Sequence, residues 1–222
     1  MKHNQVRQVV FPIITAMIWG SSFVAQSAST EHVGAYTFNA ARSFVGFLAL
    51  LVVVQIFKML RKEPPAEQTA AEKKAGRRDL ILGGICCGIA LALSCNLQQL
   101  GLVAGASVGK TSFITTLYVV LVPICGLFLK KKVSPTVWIS VLLAVAGLYC
   151  LCIKEDFTIA PSDLLVMLCA FGYTLHILVI DYFTLRVDGV KMSCIQFLTC
   201  SILSVILMLI VENPSWADIV PC

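Results

Sequence analysis

Charged residues are scarce in this sequence, and their scarcity excludes an ordinary soluble domain. They make up 13% of the 222 residues, against 58% for hydrophobic residues, and the mean hydropathy is +0.88. A soluble domain is roughly one quarter charged and about half apolar. No acidic residue lies within a long apolar block except close to its end. The composition therefore predicts a membrane protein.

Patterns typical of metal and redox proteins are also missing from the sequence. The ten cysteines form no C-x-x-C pair, and the three histidines, at 3, 32 and 176, are scattered. Metal cages need several such ligands at short, regular spacings. We therefore expect no metal, no cofactor and no catalytic residue, and we interpret the cysteines as small packing residues.

Seven apolar blocks dominate the chain. Each block is close to the ~20 residues that cross the ~30 Å hydrocarbon core of a bilayer as a helix. They cover about residues 9–28, 36–57, 80–100, 111–129, 136–153, 164–183 and 194–211. Their hydrophobicity continues around the whole helix without the alternation of barrel strands. The predicted fold is all-α, a polytopic helical membrane protein.

The basic residues predict the orientation of these spans. If the N-terminus is cytoplasmic, fourteen of the seventeen Lys and Arg residues lie on the inner side, as the positive-inside rule requires. They are Lys2, Arg7, Lys58, Arg61, Lys62, Lys73, Lys74, Arg77, Arg78, Lys130, Lys131, Lys132, Arg186 and Lys191. The sequence thus predicts a multi-pass protein of the plasma membrane, with residues 58–79 as a flexible cytoplasmic loop.

Two enzyme patterns are present, but their context is wrong. The stretch "AGASVGKTSF" at 104–113 resembles a relaxed phosphate-binding loop, and "HILVID" resembles a strand that ends in a magnesium-binding aspartate. A working loop needs a buried strand before it and a cytosolic helix after it, whereas membrane helices flank this one. Ser22 in "WGSSF" together with His176 is a weak serine-protease pattern that helix packing explains better. We expect neither ATP nor nucleic acid as a partner, since the net charge of +5 reflects topology.

Polar residues inside the spans are the candidates for a functional site. Arg42 is the only formal charge deep within a block. Such a charge costs at least ~2.5 kcal/mol, so it should face a cavity or a partner; snorkelling to headgroups is the alternative. Arg42 and Lys110 lie toward the same side, where a carboxylate or phosphate of a substrate would complement them. The predicted substrate cavity comprises Trp19, Ser22, Asn39, Arg42, Asn96, Lys110, Thr115, Tyr118, Tyr173, His176 and Gln196.

A histidine near mid-bilayer adds a second candidate role. An imidazole can titrate near neutral pH, and Asp181 lies five residues after His176 on the same helix. The pair is a candidate for proton coupling. A buried, hydrogen-bonded and inert histidine is the alternative.

A weak internal repeat relates the two ends of the chain. "MIWGSSFVAQ" at 17–26 and "CAFGYTLHIL" at 169–178 both place an aromatic-Gly pair about ten residues into a helix, followed by a helix with a polar residue, Arg42 or Gln196. Five spans separate the first copy from the second, so the second enters the membrane upside down. Inverted repeats are typical of transporters that work by alternating access.

Four stretches carry a resemblance to a known family. "MIWGSSFVAQSAS" in the first block, "FNAARSFVGFLAL" in the second, "GKTSFITTLYVVLVPICGLFL" in the fourth and "VSPTVWISVLLAVAGLYCL" in the fifth resemble the EamA domain of the drug/metabolite transporter superfamily. The resemblance implies ten helices in two inverted five-helix repeats, a central cavity and export of amino acids or other metabolites. By position it implies that Trp19, Ser22, Arg42, Lys110, Thr115, Tyr118 and Pro123 line or shape that cavity.

The resemblance also implies a domain organisation. Residues 9–153 are expected to form the first repeat, helices 1–5, and residues 162–222 the start of the second, helices 6 and 7. Two departures stand out: "KKK" at 130–132 replaces the family's Gly-Glu pair, and "ENPSWADIVPC" ends the chain where an eighth helix is expected. The expectation is a C-terminally truncated chain, with a fragment and a natural truncation both left open.

The predicted function is gradient-driven transport of a small polar metabolite, such as an amino acid, by alternating access, with export the expected direction. The alternative is a non-transporting membrane protein, either a sensor or an inactive relic. The expected partners are the substrate and the lipid bilayer, and a homodimer is left open.

Overall fold

The computed structural model describes residues 2–60, 69–131, 133–152 and 160–212, and in this part of the chain every regular element is a helix. The helices are α1 (Lys2–Ser29), α2 (Ala35–Leu60), α3 (Ala70–Val103), α4 (Val108–Thr116), α5 (Tyr118–Phe128), α6 (Pro135–Cys152), α7 (Pro161–Thr184) and α8 (Gly189–Val211). Six apolar helical segments are long enough to cross a membrane, and α4 and α5 together make one of them. The prediction of a polytopic helical membrane protein is confirmed.

The fourth and fifth predicted blocks differ in detail from expectation. The fourth is interrupted at Leu117, between α4 and α5, within a single apolar span, Val108–Phe128. Two hydroxyls just before this point compete for backbone carbonyls: Ser112 Oγ and Thr116 Oγ1 each donate a 2.7 Å bond to the carbonyl four residues back. The fifth block forms α6, but its described apolar stretch, Pro135–Gly147, is shorter than the six spans.

Helices α2, α3, α7 and α8 form the packed core, and glycines set how closely they approach. A Cβ at Gly84 of α3 would lie 2.5 Å from Ile195 Cβ of α8. On the other side of α3, a Cβ at Gly172 of α7 would lie 2.4 Å from Ser94 Oγ. Small residues of this kind let membrane helices pack backbone against backbone.

Helix α1 meets the core through the Trp19 ring, which contacts Tyr173 of α7, and through its last turns. Its large apolar side chains from Val9 to Val24 are mostly exposed, whereas Gln26 is 3% exposed. Gln99 Nε2 of α3 donates to the Gln26 carbonyl oxygen at 3.1 Å and to Ser29 Oγ at 3.2 Å. The last turns of α1 are therefore anchored to α3, and its earlier turns present an apolar face.

The prediction of a flexible loop over 58–79 is wrong for most of the segment. Residues 58–60 belong to α2, and α3 begins at Ala70; residues 61–68 lie outside the described part of the chain. Thr69 starts α3 with a capping box, in which Thr69 Oγ1 accepts from the Glu72 amide and the Glu72 carboxylate accepts from the Thr69 amide at 2.8 Å. This reciprocal pairing satisfies the free donors of the first turn and favours helix over loop.

A carboxylate from the far end of the chain caps α2. Glu212, just after α8, accepts bonds from the amides of Tyr36 and Thr37 at 2.8 and 2.9 Å and from Thr37 Oγ1 at 2.7 Å. Gly34 leaves the space, because a Cβ there would lie 2.4 Å from the carboxylate. We call this end of the bundle the Glu212 end, and the opposite end, where α2 ends and α3 begins, the basic end.

Removing this cap should loosen the junction between α2 and α8. We expect Glu212→Ala to lower the free energy of unfolding by about 1–2 kcal/mol, since it removes a helix cap and leaves two backbone amides and the Thr37 hydroxyl without their acceptor. Thermal unfolding of the purified protein measures the change. Glu31→Ala, at an exposed position of the same end, is the matched control, and equal stability of the two variants would contradict the capping role.

Candidate functional site

Arg42 and Asn39 form the centre of the candidate site on α2. Arg42 Nη2 donates to Asn39 Oδ1 at 3.0 Å, and the guanidinium carbon lies 5.4 Å from the centroid of the Phe38 ring. Asn39 is fully buried. Among the described residues, the only carboxylates within 4.0 Å of a basic group belong to the Lys110 and Lys131 pairs. Within the described residues the guanidinium therefore has no carboxylate partner.

A buried polar network attaches this pair to the rest of the core. Asn39 Nδ2 donates to the Cys95 carbonyl oxygen at 3.0 Å and to Asn96 Oδ1 at 3.1 Å. Asn96 Nδ2 in turn donates to Ser204 Oγ of α8 at 3.1 Å. The network joins α2, α3 and α8, so it fixes Arg42 on rigid elements.

Three aromatic rings lie beside this network. The centroids of Trp19, Tyr118 and Tyr173 are 6.3–6.5 Å apart in each pair, the range of favourable aromatic contacts. Tyr173 Oη lies 3.3 Å from Cys95 Sγ, which links the rings to the helix that holds Asn96. Three predicted cavity residues from α1, α5 and α7 thus come together.

An apolar groove extends from these rings along α1. It has a volume of about 510 Å³ and is lined by Phe11, Pro12, Thr15, Ala16, Trp19 and Tyr118. Its walls are mainly apolar, so it fits an apolar part of a molecule rather than a charged one. The resemblance pointed to Trp19 and Tyr118 only, and the α1 residues before Trp19 were not predicted.

Two other predicted residues have local or packing contacts. Thr115 Oγ1 accepts from Gln98 Nε2 at 3.0 Å and lies 3.8 Å from Cys169 Sγ, so it joins α4 to α3 and α7. Ser22 Oγ donates to the Trp19 carbonyl oxygen of its own helix at 2.7 Å. Their hydroxyls are engaged within the protein.

Lys110 lies at the Glu212 end, near the start of α4, in an ion pair. Its Nζ is 3.7 Å from Asp163 Oδ2 of α7. Asp163 therefore lies beside the lysine, and the expectation that Lys110 and Arg42 together complement a substrate anion stays a prediction. The segment also lacks the geometry of a phosphate-binding loop, since helix α3 precedes it instead of a strand.

His176 and Gln196 lie side by side on α7 and α8. They are 9% and 5% exposed, and within the described residues neither His176 Nε2 nor Gln196 Oε1 has a partner that meets hydrogen-bond geometry. Asp181 is exposed and pairs with Lys131. The neighbour of His176 is thus an amide, and the partner of Asp181 is a lysine. No recorded hydrogen bond or ion pair joins His176 directly to Asp181 among the described residues.

Several residues of this centre were missed by sequence reasoning. Phe38, Cys95 and Ser204 contact the Arg42 network. Cys200 packs in the same core cluster as Cys95, and Ser43 contacts Cys200. Small hydroxyls and thiols occur throughout the spans, and no spacing distinguishes these five. Only the packing of α2 against α3 and α8 reveals them.

Comparison with known proteins places the chain in a family. Residues 7–153 match the EamA-like transporter family. The chain is also similar to a protein of Archaeoglobus fulgidus named only as an uncharacterized transporter, with 28% identity over 172 residues, 77% of this chain and 48% of the relative. The chain thus spans about half the length of the curated relative it matches. No solved structure matches it. With the family match covering well over half of its residues, this multi-pass helical protein belongs to the EamA-like transporter family.

Proposed function

We propose that this chain carries a small polar metabolite, such as an amino acid, across the plasma membrane by alternating access, and that a gradient drives export. The supporting observation is Arg42, a guanidinium within a span that is held by Asn39 and Phe38 and has no carboxylate partner among the described residues. A charge retained at that depth indicates function. The complementary ligand group is a carboxylate or a phosphate, which an arginine guanidinium binds through two parallel hydrogen bonds.

The surroundings of Arg42 narrow the class of substrate that we propose. The rings of Trp19, Tyr118 and Tyr173 and the adjoining groove offer apolar surface. Cys95 joins this surface to the Arg42 network, because it contacts both Tyr173 and Asn39. A metabolite with an anionic group at one end and an apolar part at the other fits both features. An amino acid with an apolar side chain has this shape. We propose that the set predicted from the sequence contributes to this site, with Lys110 paired to Asp163.

The domain organisation is part of the same proposal. Arg42 follows the first residue of α2 by seven positions, and Gln196 follows the first residue of α8 by seven. Each of these helices comes after one with an aromatic-Gly pair, Trp19-Gly20 or Phe171-Gly172. This correspondence supports two inverted repeats, 9–153 and the start of a second at 162–222, and repeats of this kind exchange conformations in alternating access.

The distribution of charge supports the proposed orientation. Nine of the described Lys and Arg side chains lie at the basic end: Lys58, Lys73, Lys74, Arg77, Arg78, Lys130, Lys131, Arg186 and Lys191. The positive-inside rule assigns such an end to the cytoplasm. Helix α1 begins at this end, so the N-terminus is proposed to be cytoplasmic.

Flux into proteoliposomes tests the proposal. The purified chain is reconstituted, and uptake and efflux of radiolabelled amino acids, short peptides and organic anions are measured with and without a pH gradient. We expect saturable flux of at least one anionic or zwitterionic compound above that of empty liposomes. Equal flux in protein-containing and empty liposomes, from protein shown to be folded, would favour a non-transporting role.

A variant of His176 tests proton coupling separately from transport. We expect His176→Gln to abolish the effect of a pH gradient on flux while substrate exchange continues, because glutamine keeps hydrogen bonding beside Gln196 but does not titrate. Flux is measured with and without the gradient, and exchange at equal pH. Undiminished gradient dependence in the variant would assign His176 a packing role.

A further inference from the structure

Helix α3 extends beyond the membrane at the basic end, so a helix and not a flexible loop carries the basic residues there. Helix α3 spans Ala70–Val103, 34 residues, or about 51 Å at ~1.5 Å per residue. The hydrocarbon core is only ~30 Å thick, and the full bilayer about 40–45 Å. The part of α3 before the apolar stretch that begins at Leu80 therefore projects into the headgroup layer and beyond.

Four basic residues occupy one face of this projection. Lys73, Lys74, Arg77 and Arg78 are all exposed, and their spacing places them within an arc of about 140° on the helix. Arg77 and Arg78 lie only two to three residues, about 3–5 Å, before Leu80, which is the depth of lipid phosphates. Lys73 and Lys74 lie one turn further out.

The neighbouring acidic groups do not neutralise this face. Glu72 is engaged by Thr69 in the capping box, and Asp79 lies near Arg186 of the α7–α8 connection. Within the described residues no carboxylate lies within 4.0 Å of any of the four basic groups. The face therefore keeps a net positive charge even when both carboxylates are counted against it.

We propose that this face, Lys73, Lys74, Arg77 and Arg78, binds an anionic phospholipid of the leaflet at the basic end. The two arginines contact the lipid phosphate, and the two lysines reach the outer part of the headgroup. Because a helix holds the four groups in fixed positions, the site binds an individual anionic lipid. A flexible loop would attract only a diffuse layer of anions. Juxtamembrane basic clusters gain about 1 kcal/mol per Lys or Arg at an anionic surface. The proposal is independent of which substrate the protein carries.

Lipid retention on the full chain tests the proposal. The protein is purified in detergent with an equimolar mixture of phosphatidylglycerol and phosphatidylcholine, and retained lipid is counted by native mass spectrometry. We expect selective retention of phosphatidylglycerol, and we expect R77Q/R78Q to weaken it about 30-fold, the equivalent of two charges. Glutamine has nearly the helix propensity of lysine and arginine, so the helix stays intact.

Matched variants distinguish a lipid site from diffuse attraction and from a site for a soluble anion. K58Q/K130Q removes two exposed charges from the same end of the bundle and should retain lipid like the parent, while R77K/R78K should keep most of the binding. Equal losses in R77Q/R78Q and K58Q/K130Q would overturn the proposal in favour of diffuse attraction. Displacement of the lipid by millimolar inorganic phosphate or by polyglutamate would overturn it in favour of a soluble phosphate site or an acidic protein partner.

Discussion

Arg42→Ala should strongly weaken binding and flux of the proposed anionic substrate while the protein still inserts and folds. Truncating one partner of a buried, hydrogen-bonded charge pair costs about 2–5 kcal/mol, and about 1.4 kcal/mol corresponds to a factor of ten. We therefore expect binding to weaken about 30-fold or more. The measurement is equilibrium binding of the radiolabelled substrate to purified protein, with unfolding temperature recorded on the same samples.

Two further variants separate a binding role from a packing role. Lys58→Ala removes an exposed cation from the same helix and should leave binding unchanged. Arg42→Lys keeps the positive charge but loses the bidentate hydrogen bonding, so this variant should bind the substrate with intermediate affinity. If Arg42→Ala lowered the unfolding temperature and left the affinity of the folded fraction intact, the arginine would serve the packing of α2 instead.

Gly88→Val should have the largest effect on folding. A Cβ at Gly88 would lie 2.5 Å from Thr199 Cβ and 2.8 Å from the Gln196 carbonyl oxygen. Backbone cannot rotate away as a side chain can, so α3 and α8 must separate. We expect a loss of about 3 kcal/mol, the upper end of what overpacking costs, measured as a lower unfolding temperature and a smaller monodisperse peak on size exclusion.

Gly147→Val provides the control for this prediction. A Cβ at Gly147 of α6 meets no atom of the described structure within 4 Å, so the same substitution should leave the unfolding temperature unchanged. Similar stability of both variants would contradict close packing of α3 on α8.

The helical membrane fold could be predicted from the sequence because its signals are local. Block length and uniform hydrophobicity each depend on neighbouring residues only. The interruption at Leu117 and the helical start at Thr69 were missed because the prediction used hydropathy. Hydrogen bonds within a single turn accompany both features, Thr116 to Ser112 and Thr69 to Glu72, and hydropathy does not register them.

The candidate site could be predicted only in part because its contacts are long-range. Arg42 stands out in the sequence as a charge within a span, and the motif around Trp19 points to the aromatic rings. The pairing of Lys110 with Asp163 joins residues 53 positions apart, and Glu212 caps a helix more than 170 residues earlier. Such contacts follow from how helices pack, and no spacing in one sequence reveals them.

Counterflow tests most directly whether this chain is a carrier built around Arg42. Proteoliposomes loaded with excess unlabelled substrate are diluted into a trace of labelled substrate, and internal label is followed over time. A carrier that alternates between the two sides predicts a transient rise of label above equilibrium in the parent and none in Arg42→Ala. A steady approach to equilibrium without overshoot in the parent, or an equal overshoot in both proteins, would contradict a carrier centred on this arginine.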